Sequence, residues 1–219
     1  MSMTLYYSPA SPPSRAVLLT LRNLGLEFER KVINMMAGEN KSDEFLKINP
    51  QGTVPVVVDD DFAMNESRAI CCYLVNAKSP DNSLYPTDDI KARYIIDQRL
   101  FYDASTFTSA LTGALVPIMR KGETVIQQEH KDKILSVLNT LESFLDGYEW
   151  FSASDNVSIA DLSILANFST IYHIGLDLAD YPNVSAWYER CKELPGADEN
   201  EKGAKMFAMF LKSKLTEPF

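Results

Sequence analysis

The sequence predicts two domains of different class: an α/β unit of order β-α-β-α-β-β-α, followed by an all-helical unit. Three observations lead there. Strand-like and helix-like apolar patterns alternate up to residue 78. A stretch rich in proline and turn formers, "SPDNSLYPTDD" (79–89), then interrupts them. Beyond it, every clear pattern has the helical period. The division is 1–80 for the first domain, 81–89 for a linker and 90–219 for the helical domain.

The elements follow in order. "MTLYYS" (3–8) is a short aromatic and aliphatic run stopped by Pro9, hence a strand. "SRAVLLTLRNLG" (14–25) puts Val17, Leu18, Leu21 and Leu24 on one helical face, with Gly25 as its stop. "EFERKVIN" (27–34) alternates as a second strand, and "SDEFLKIN" supplies a short helix. "TVPVVVDDD" and "FAMN" read as two strands joined by an acidic turn, and "ESRAICCYLVNAK" (66–78) closes the unit as a helix. Seven short elements leave no room for a dinucleotide-binding fold. After the linker come helical patterns at 90–115, 127–148, 158–174, 183–194 and 203–215. Ser158 and Asp161 form a variant of the capping box, a folding feature rather than a catalytic one.

Composition narrows the function. The 219 residues are 46% hydrophobic and 23% charged, ordinary for a globular protein, and no apolar run approaches the roughly 18 residues of a membrane span. The N-terminus carries no basic segment followed by an apolar one, so a cytoplasmic location is expected. Cys71, Cys72 and Cys191 show no paired spacing, and the two histidines, His130 and His173, lack a ligand pattern. A disulfide framework and a metal site are therefore not expected. A net charge of −9 without a basic patch argues against nucleic acid. An anionic ligand would need a local positive field from helix N-termini and a few cations.

Three stretches carry chemistry. In "QGTVPVVV", Pro55 cannot donate to a ladder. A cis Val54–Pro55 bond would turn the neighbouring N–H and C=O groups toward an extended, peptide-like ligand. An edge-strand proline without a ligand is the alternative. In "NESRAI" (65–70), Asn65, Glu66 and Ser67 begin a helix with Arg68 in its first turn. Free N–H groups there suit a carboxylate and Glu66 suits an ammonium, so an α-amino acid end group fits both. An ordinary polar helix start is the alternative. In "YYSPASPPSR" (6–15), a serine at a strand-to-helix turn can donate to an anion, or Ser11 and Ser14 simply cap the helix that Pro12 and Pro13 stiffen.

In their order and spacing these motifs resemble the glutathione transferase superfamily. "INPQGTVPVVVDD" is similar to its N-P-x-x-x-[VI]-P strand and "ESRAICCYL" to its E-S-R-A-I helix start. "SIADLSILA" and "YPNVSAWYERCKELPG" match as well, so the resemblance covers nearly the whole chain. It implies a thioredoxin-like first domain, an all-helical second domain and, among classes, the insect delta and epsilon groups. It implies glutathione as co-substrate with no metal, a hydrophobic electrophile as second substrate, and a homodimer. By the resemblance Ser11 is the catalytic residue, its hydroxyl stabilising the glutathione thiolate; Ser8, Ser14, Tyr6 and Tyr7 are the competing choices. Val54 is the backbone partner of the cysteinyl part, Pro55 the cis-proline, Glu66 and Ser67 the binders of the γ-glutamyl end, and Arg68 the support of their network.

The chain departs from the pattern at two positions. Gly52 stands where delta and epsilon members carry a histidine in N-P-Q-H-T, and Asn40 stands where a second histidine follows M-A-G-E. Both imidazoles near the glycine carboxylate are missing, and Asn40, Lys41 and Gln51 are the available replacements. A weaker grip on glutathione follows. Phe107, Leu111, Leu115 and Met119 in one helix and Met206, Phe207 and Phe210 in the last are the expected apolar wall for the second substrate, with most of that set serving as core. The enzyme reading is attack by the glutathione thiolate on apolar electrophiles, hence detoxification. The competing reading is a weakly catalytic or non-catalytic binder of lipophilic ligands or steroids on the same fold.

Overall fold

The computed structural model describes residues 3–79 and 82–219; Met1, Ser2, Pro80 and Asp81, which fall in the expected first domain and linker, lie outside it. The first domain runs β1 (Met3–Tyr7), α1 (Pro12–Asn23), β2 (Glu29–Val32), a 3-10 turn (Glu39–Lys41), α2 (Asp43–Ile48), β3 (Val56–Asp59), β4 (Phe62–Met64) and α3 (Ser67–Lys78). The strands form one mixed sheet in the order β2-β1-β3-β4. Parallel pairing sets Thr4 opposite Glu29, and antiparallel pairing sets Tyr6 opposite Val56 and Val57 opposite Met64. The expected β-α-β-α-β-β-α order is therefore present. Helix α1 ends in a Schellman turn: Leu26 donates to the Leu21 carbonyl at 3.1 Å, Gly25 donates to Arg22 at 3.1 Å, and Gly25 takes φ +64. Strand β2 is exposed along its length rather than half-buried, as suits a charged edge strand.

The second domain is helical: α4 (Ile90–Tyr102), α5 (Thr108–Val116), α6 (Gln128–Phe144), α7 (Ile159–Ile174), α8 (Pro182–Cys191) and α9 (Ala197–Lys212). Two corrections to the sequence reading arise here. The predicted helix over 90–115 is interrupted by a π turn at Asp103–Phe107, and a second π turn follows at Pro117–Lys121. Helix α9 begins at Ala197, six residues before the pattern at 203. Its first turn is polar, with Asp198 and Glu199 favouring the positive helix end instead of marking an apolar face. The linker residues Leu84 and Tyr85 are buried, and Leu84 accepts a hydrogen bond from Ile159, so this stretch packs as part of the body.

Helix α7 is buried on all sides and forms the centre of the helical domain. Its start is fixed by Asp161, fully buried, which accepts from the Ser158 N–H (2.9 Å), Ser158 Oγ (2.7 Å), Phe151 N–H (2.8 Å) and Trp187 Nε1 (3.0 Å). Burial raises its pKa even against those donors. The expected capping box is thus present. One apolar core runs from Leu5 and Val17 of the first domain through α7 to Leu211, so α1 and α7 join the two domains face to face.

Candidate functional site

The sheet register gathers the expected site at one edge. Residue Tyr6 at the end of β1 lies opposite Val56, and Val57 lies opposite Met64, so the loops after β1, before β3 and after β4 are neighbours. Those loops carry Ser11, Val54–Pro55 and Glu66–Ser67.

Ser11 is the N-cap of α1. Its Oγ accepts the Ser14 N–H at 3.4 Å, its own N–H donates to Ser8 O at 3.0 Å, and its carbonyl accepts from Arg15 at 3.0 Å. Among the described residues nothing accepts the Ser11 hydroxyl hydrogen, so that hydrogen is free to point outward. Pro12 and Pro13 occupy the first two helical positions and have no N–H, while the third N–H, that of Ser14, is taken by the cap. The first turn of α1 therefore offers an anion its dipole and one donor, the Ser11 hydroxyl. Ser14 is fully buried and its Oγ accepts the Ser8 N–H at 3.3 Å, which makes it a brace for the loop. Tyr7 is buried in the core, and the Tyr6 ring packs on Phe45 at 6.1 Å.

The Val54–Pro55 bond is cis. Among the described residues no hydrogen bond engages the Val54 N–H or C=O, which leaves that backbone open to an extended ligand. The turn before it is tied down by Asn49, fully buried. Its Nδ2 donates to Thr53 O at 2.8 Å, and its Oδ1 accepts from Gln51 N–H at 3.1 Å and from Asn65 Nδ2 at 2.7 Å. One side chain thus couples the Val54 turn to the segment that presents Glu66.

Glu66 takes φ 67 and ψ 98, a conformation costing a non-glycine residue about 1–3 kcal/mol and typically stored at functional sites. Its side chain is exposed, and Ser67, buried at the first position of α3, has a hydroxyl with no partner among the described residues. A helix N-terminus, a free hydroxyl and an exposed carboxylate converge there, as an α-amino acid end group requires.

Arg68 faces the helical domain instead. Its Nε and Nη2 donate to Asp103 Oδ2 at 2.9 and 2.6 Å, and Nη2 also reaches Thr108 Oγ1 at 2.7 Å. Asp103 is fully buried and further accepts from Ser163 Oγ (2.6 Å) and Asn167 Nδ2 (2.8 Å). The π turn at 103–107 is what brings Asp103 to this position. Asp103, Ser163 and Asn167 were not read from the sequence: their partners lie 35 to 64 positions away and no local pattern signals them, whereas Asn49 opens the N-P-x-x-x-[VI]-P stretch and was read only as part of that motif.

The glycine end is rearranged. Asn40 is buried and its Nδ2 donates to the Gly52 carbonyl at 2.7 Å, so it supports the turn. Lys41 donates to the Gln51 carbonyl at 3.0 Å, and a Cβ on Gly52 would lie 2.6 Å from Lys41 Nζ. The lysine ammonium occupies the place that a residue-52 side chain would enter. Gln51 is exposed beside it.

Of the expected apolar wall, Phe107, Leu111 and Leu115 are 0%, 4% and 2% exposed and belong to the main core. Met119, Phe207 and Phe210 are half-buried, and Met206 is largely exposed. Helical spacing defined the apolar face correctly but not what it packs against, and for the first three that is the core of the domain. Among the described residues no cluster of histidine, cysteine and acidic side chains is arranged to hold a metal.

Comparison with known proteins shows the family of the chain. The profile for "Glutathione S-transferase, N-terminal domain" matches residues 5–82, and that for "Glutathione S-transferase, C-terminal domain" matches residues 106–195. The chain belongs to the glutathione S-transferase family. Glutathione S-transferase D7 of Anopheles gambiae is 38% identical over 221 residues, 99% of this chain and all of that one. The structure of glutathione S-transferase unclassified 2 from Bombyx mori superposes with a TM-score of 0.94 at 38% identity, covering 99% of this chain and 100% of the other. A glutathione transferase homologue from Drosophila mojavensis, solved with bound glutathione, gives 0.92 at 38% identity with 98% of each chain covered. Delta- and epsilon-class insect enzymes are among the similar structures. The α/β domain of this glutathione S-transferase family member is thus thioredoxin-like, as expected.

Proposed function

We propose that this chain transfers the thiolate of glutathione to apolar electrophiles, with Ser11 as the catalytic hydroxyl. The observation that carries the reading is the Ser11 cap. The oxygen is held by the Ser14 N–H while its hydrogen stays free at the edge where Val54, Glu66 and Ser67 converge. A donor fixed before the ligand arrives favours the charged sulfur over the neutral thiol, and the dipole of α1 adds to it. The thiol proton passes to solvent on binding. The thiolate pair then forms the C–S bond as the electrophile's leaving group departs with its electrons, or as a conjugated bond takes them up.

Glutathione is held along its length. Val54 pairs with the cysteinyl backbone beside Pro55, while Ser67, the N-terminus of α3 and Glu66 take the γ-glutamyl carboxylate and ammonium. Arg68 fixes that helix start by its bond to Asp103. Lys41 takes the glycine carboxylate in place of the missing imidazoles, with Asn40 and Gln51 shaping the turn around it. Phe207, Phe210 and Met119, together with Met206, supply the apolar wall for the second substrate. Ile90, Tyr94 and Phe101 are 80%, 66% and 75% exposed on one face of α4, and Phe62 is 54% exposed on β4; a second copy of the chain covers them, giving a homodimer. Among the described residues no helix is long and apolar enough to cross a membrane. The role proposed for the chain is detoxification in the cytoplasm.

Steady-state conjugation of a chloronitrobenzene tests it. Ser11→Ala lowers kcat/KM by about a hundredfold, the scale of losing one preorganised donor. Lys41→Met raises KM for glutathione about tenfold with little change in kcat, as the loss of a charge-assisted bond would. Activity of Ser11→Ala within twofold of the parent overturns the assignment, and absence of turnover in the parent favours the binding-protein reading.

A further inference from the structure

Helix α9 meets the first loop at a point where the helix has no side chain. Gly203 lies buried inside α9 without a positive φ, so its conformation does not call for glycine. Packing does. A Cβ there would collide with the Pro9 carbonyl oxygen, and would sit 3.1 Å from the Pro9 carbonyl carbon and 2.7 Å from Arg15 Cδ. Glycine is among the poorest helix formers, so its place in the second turn of α9 serves this close approach.

Pro9 stands two residues before Ser11 in a loop that closes on itself. Ser11 donates to Ser8 O at 3.0 Å and Ser8 donates to Ser14 Oγ at 3.3 Å, so a displaced Pro9 carbonyl moves the cap with it. Where it meets α9 the loop borders an open cleft of about 310 Å³ whose lining includes Tyr7, Pro9, Arg15, Leu18, Gly203 and Met206. The α9 backbone is thus a fixed stop beside an otherwise unfilled space. Arg15 sets where that stop stands. Its buried guanidinium donates from Nη1 to Asn200 Oδ1 at 2.6 Å and to Ser169 Oγ at 2.9 Å, and from Nη2 to Thr170 Oγ1. Asn200 precedes Gly203 by less than one turn of α9.

We propose that Gly203, seated by Arg15, is a positioning residue that fixes the first loop and so the direction of the Ser11 hydroxyl. The same helical face continues at +3, +4 and +7 with Met206, Phe207 and Phe210. One helix therefore carries both the stop for the donor loop and the residues assigned to the second substrate's wall. The inference rests on Ser11 as the donor to the glutathione sulfur.

The test is a pH titration of the ultraviolet thiolate band of enzyme-bound glutathione, with glutathione affinity measured by calorimetry. Gly203→Ala raises the apparent pKa of the bound thiol by about one unit, a tenfold fall in the thiolate-to-thiol ratio, while affinity stays within about twofold. The exposed neighbour Lys205→Ala leaves both unchanged. Thr170→Val removes one Arg15 acceptor at nearly constant volume, shifts the pKa in the same direction by less, and carries the test if Gly203→Ala does not fold. A folded Gly203→Ala, or Thr170→Val in its stead, with an unshifted thiol pKa overturns the inference. A parent protein without a thiolate band refutes instead the underlying assignment of Ser11.

Discussion

Two arginines tie the first domain to the helical one, and they are held in opposite ways. Arg68, one-fifth exposed, meets the buried carboxylate of Asp103, which three further donations from Arg68, Ser163 and Asn167 surround. Arg15 is more deeply buried and meets only neutral oxygens, those of Ser169, Thr170 and Asn200, with its Nε unpartnered among the described residues. Burial pulls its pKa down to about 9, offset in part by the field of Glu201. That carboxylate is itself bonded to Tyr188 and His173, each at 2.6 Å. The first tie is an ion pair that fails badly when halved. The second is a set of hydrogen bonds around a charge that burial already disfavours.

That comparison is sharpest in the cost of removing each tie. Asp103→Ala leaves the Arg68 charge without its carboxylate, with only Thr108 still accepting from it, and strips Ser163 and Asn167 of their acceptor; about 3 kcal/mol of unfolding free energy is lost, read from urea denaturation. Arg15→Met removes a strained charge together with its bonds, and the two effects offset to a loss of about 1–2 kcal/mol. An Arg15 variant that costs more than the Asp103 variant breaks the contrast. The smallest effect belongs to a tie within the first domain, Lys78 to Asp59 at 2.6 Å, with Tyr73 donating to the same oxygen at 3.0 Å. The lysine bond, foremost, lowers the Asp59 pKa below 3.8, so its contribution is present above that value and disappears as pH falls through the lower folded pKa. Asp59→Asn is therefore less stable than the parent at neutral pH, and the two converge once pH falls below the lowered carboxyl pKa, as followed by thermal melts through the acid range.

The same contrast separates what the sequence made legible from what it hid. Both domains and the order of strands and helices could be read because apolar period is a local property. "INPQGTVP" and "NESRAI" could be read because each motif carries its geometry within a few residues. Arg15 looked like an ordinary member of a helix, and Gly203 like the first residue of one, since what matters about each is a neighbour more than 150 positions away in the other domain. Asp103 was likewise invisible, because a π turn rather than a regular helix delivers it to Arg68. Phe107, Leu111 and Leu115 show the converse. Their spacing was read correctly, yet the side of the helix that becomes core depends on α7, which spacing within one helix does not report. Missing imidazoles were visible at Gly52 and Asn40, and Lys41 was one of three replacements read from the sequence; that its ammonium, among the three, reaches across the turn to the Gln51 carbonyl beside Gly52 was not, because that depends on how the turn folds.

The central claim is that the Ser11 hydroxyl, fixed by its own helix cap, keeps the sulfur of bound glutathione ionised at neutral pH. Its most direct measurement is the thiol pKa of the bound tripeptide in the parent and in Ser11→Ala. The account predicts a parent value at or below about 7, against the free thiol's roughly 8.5, and a return toward the latter in the variant. An equally depressed pKa in Ser11→Ala contradicts it.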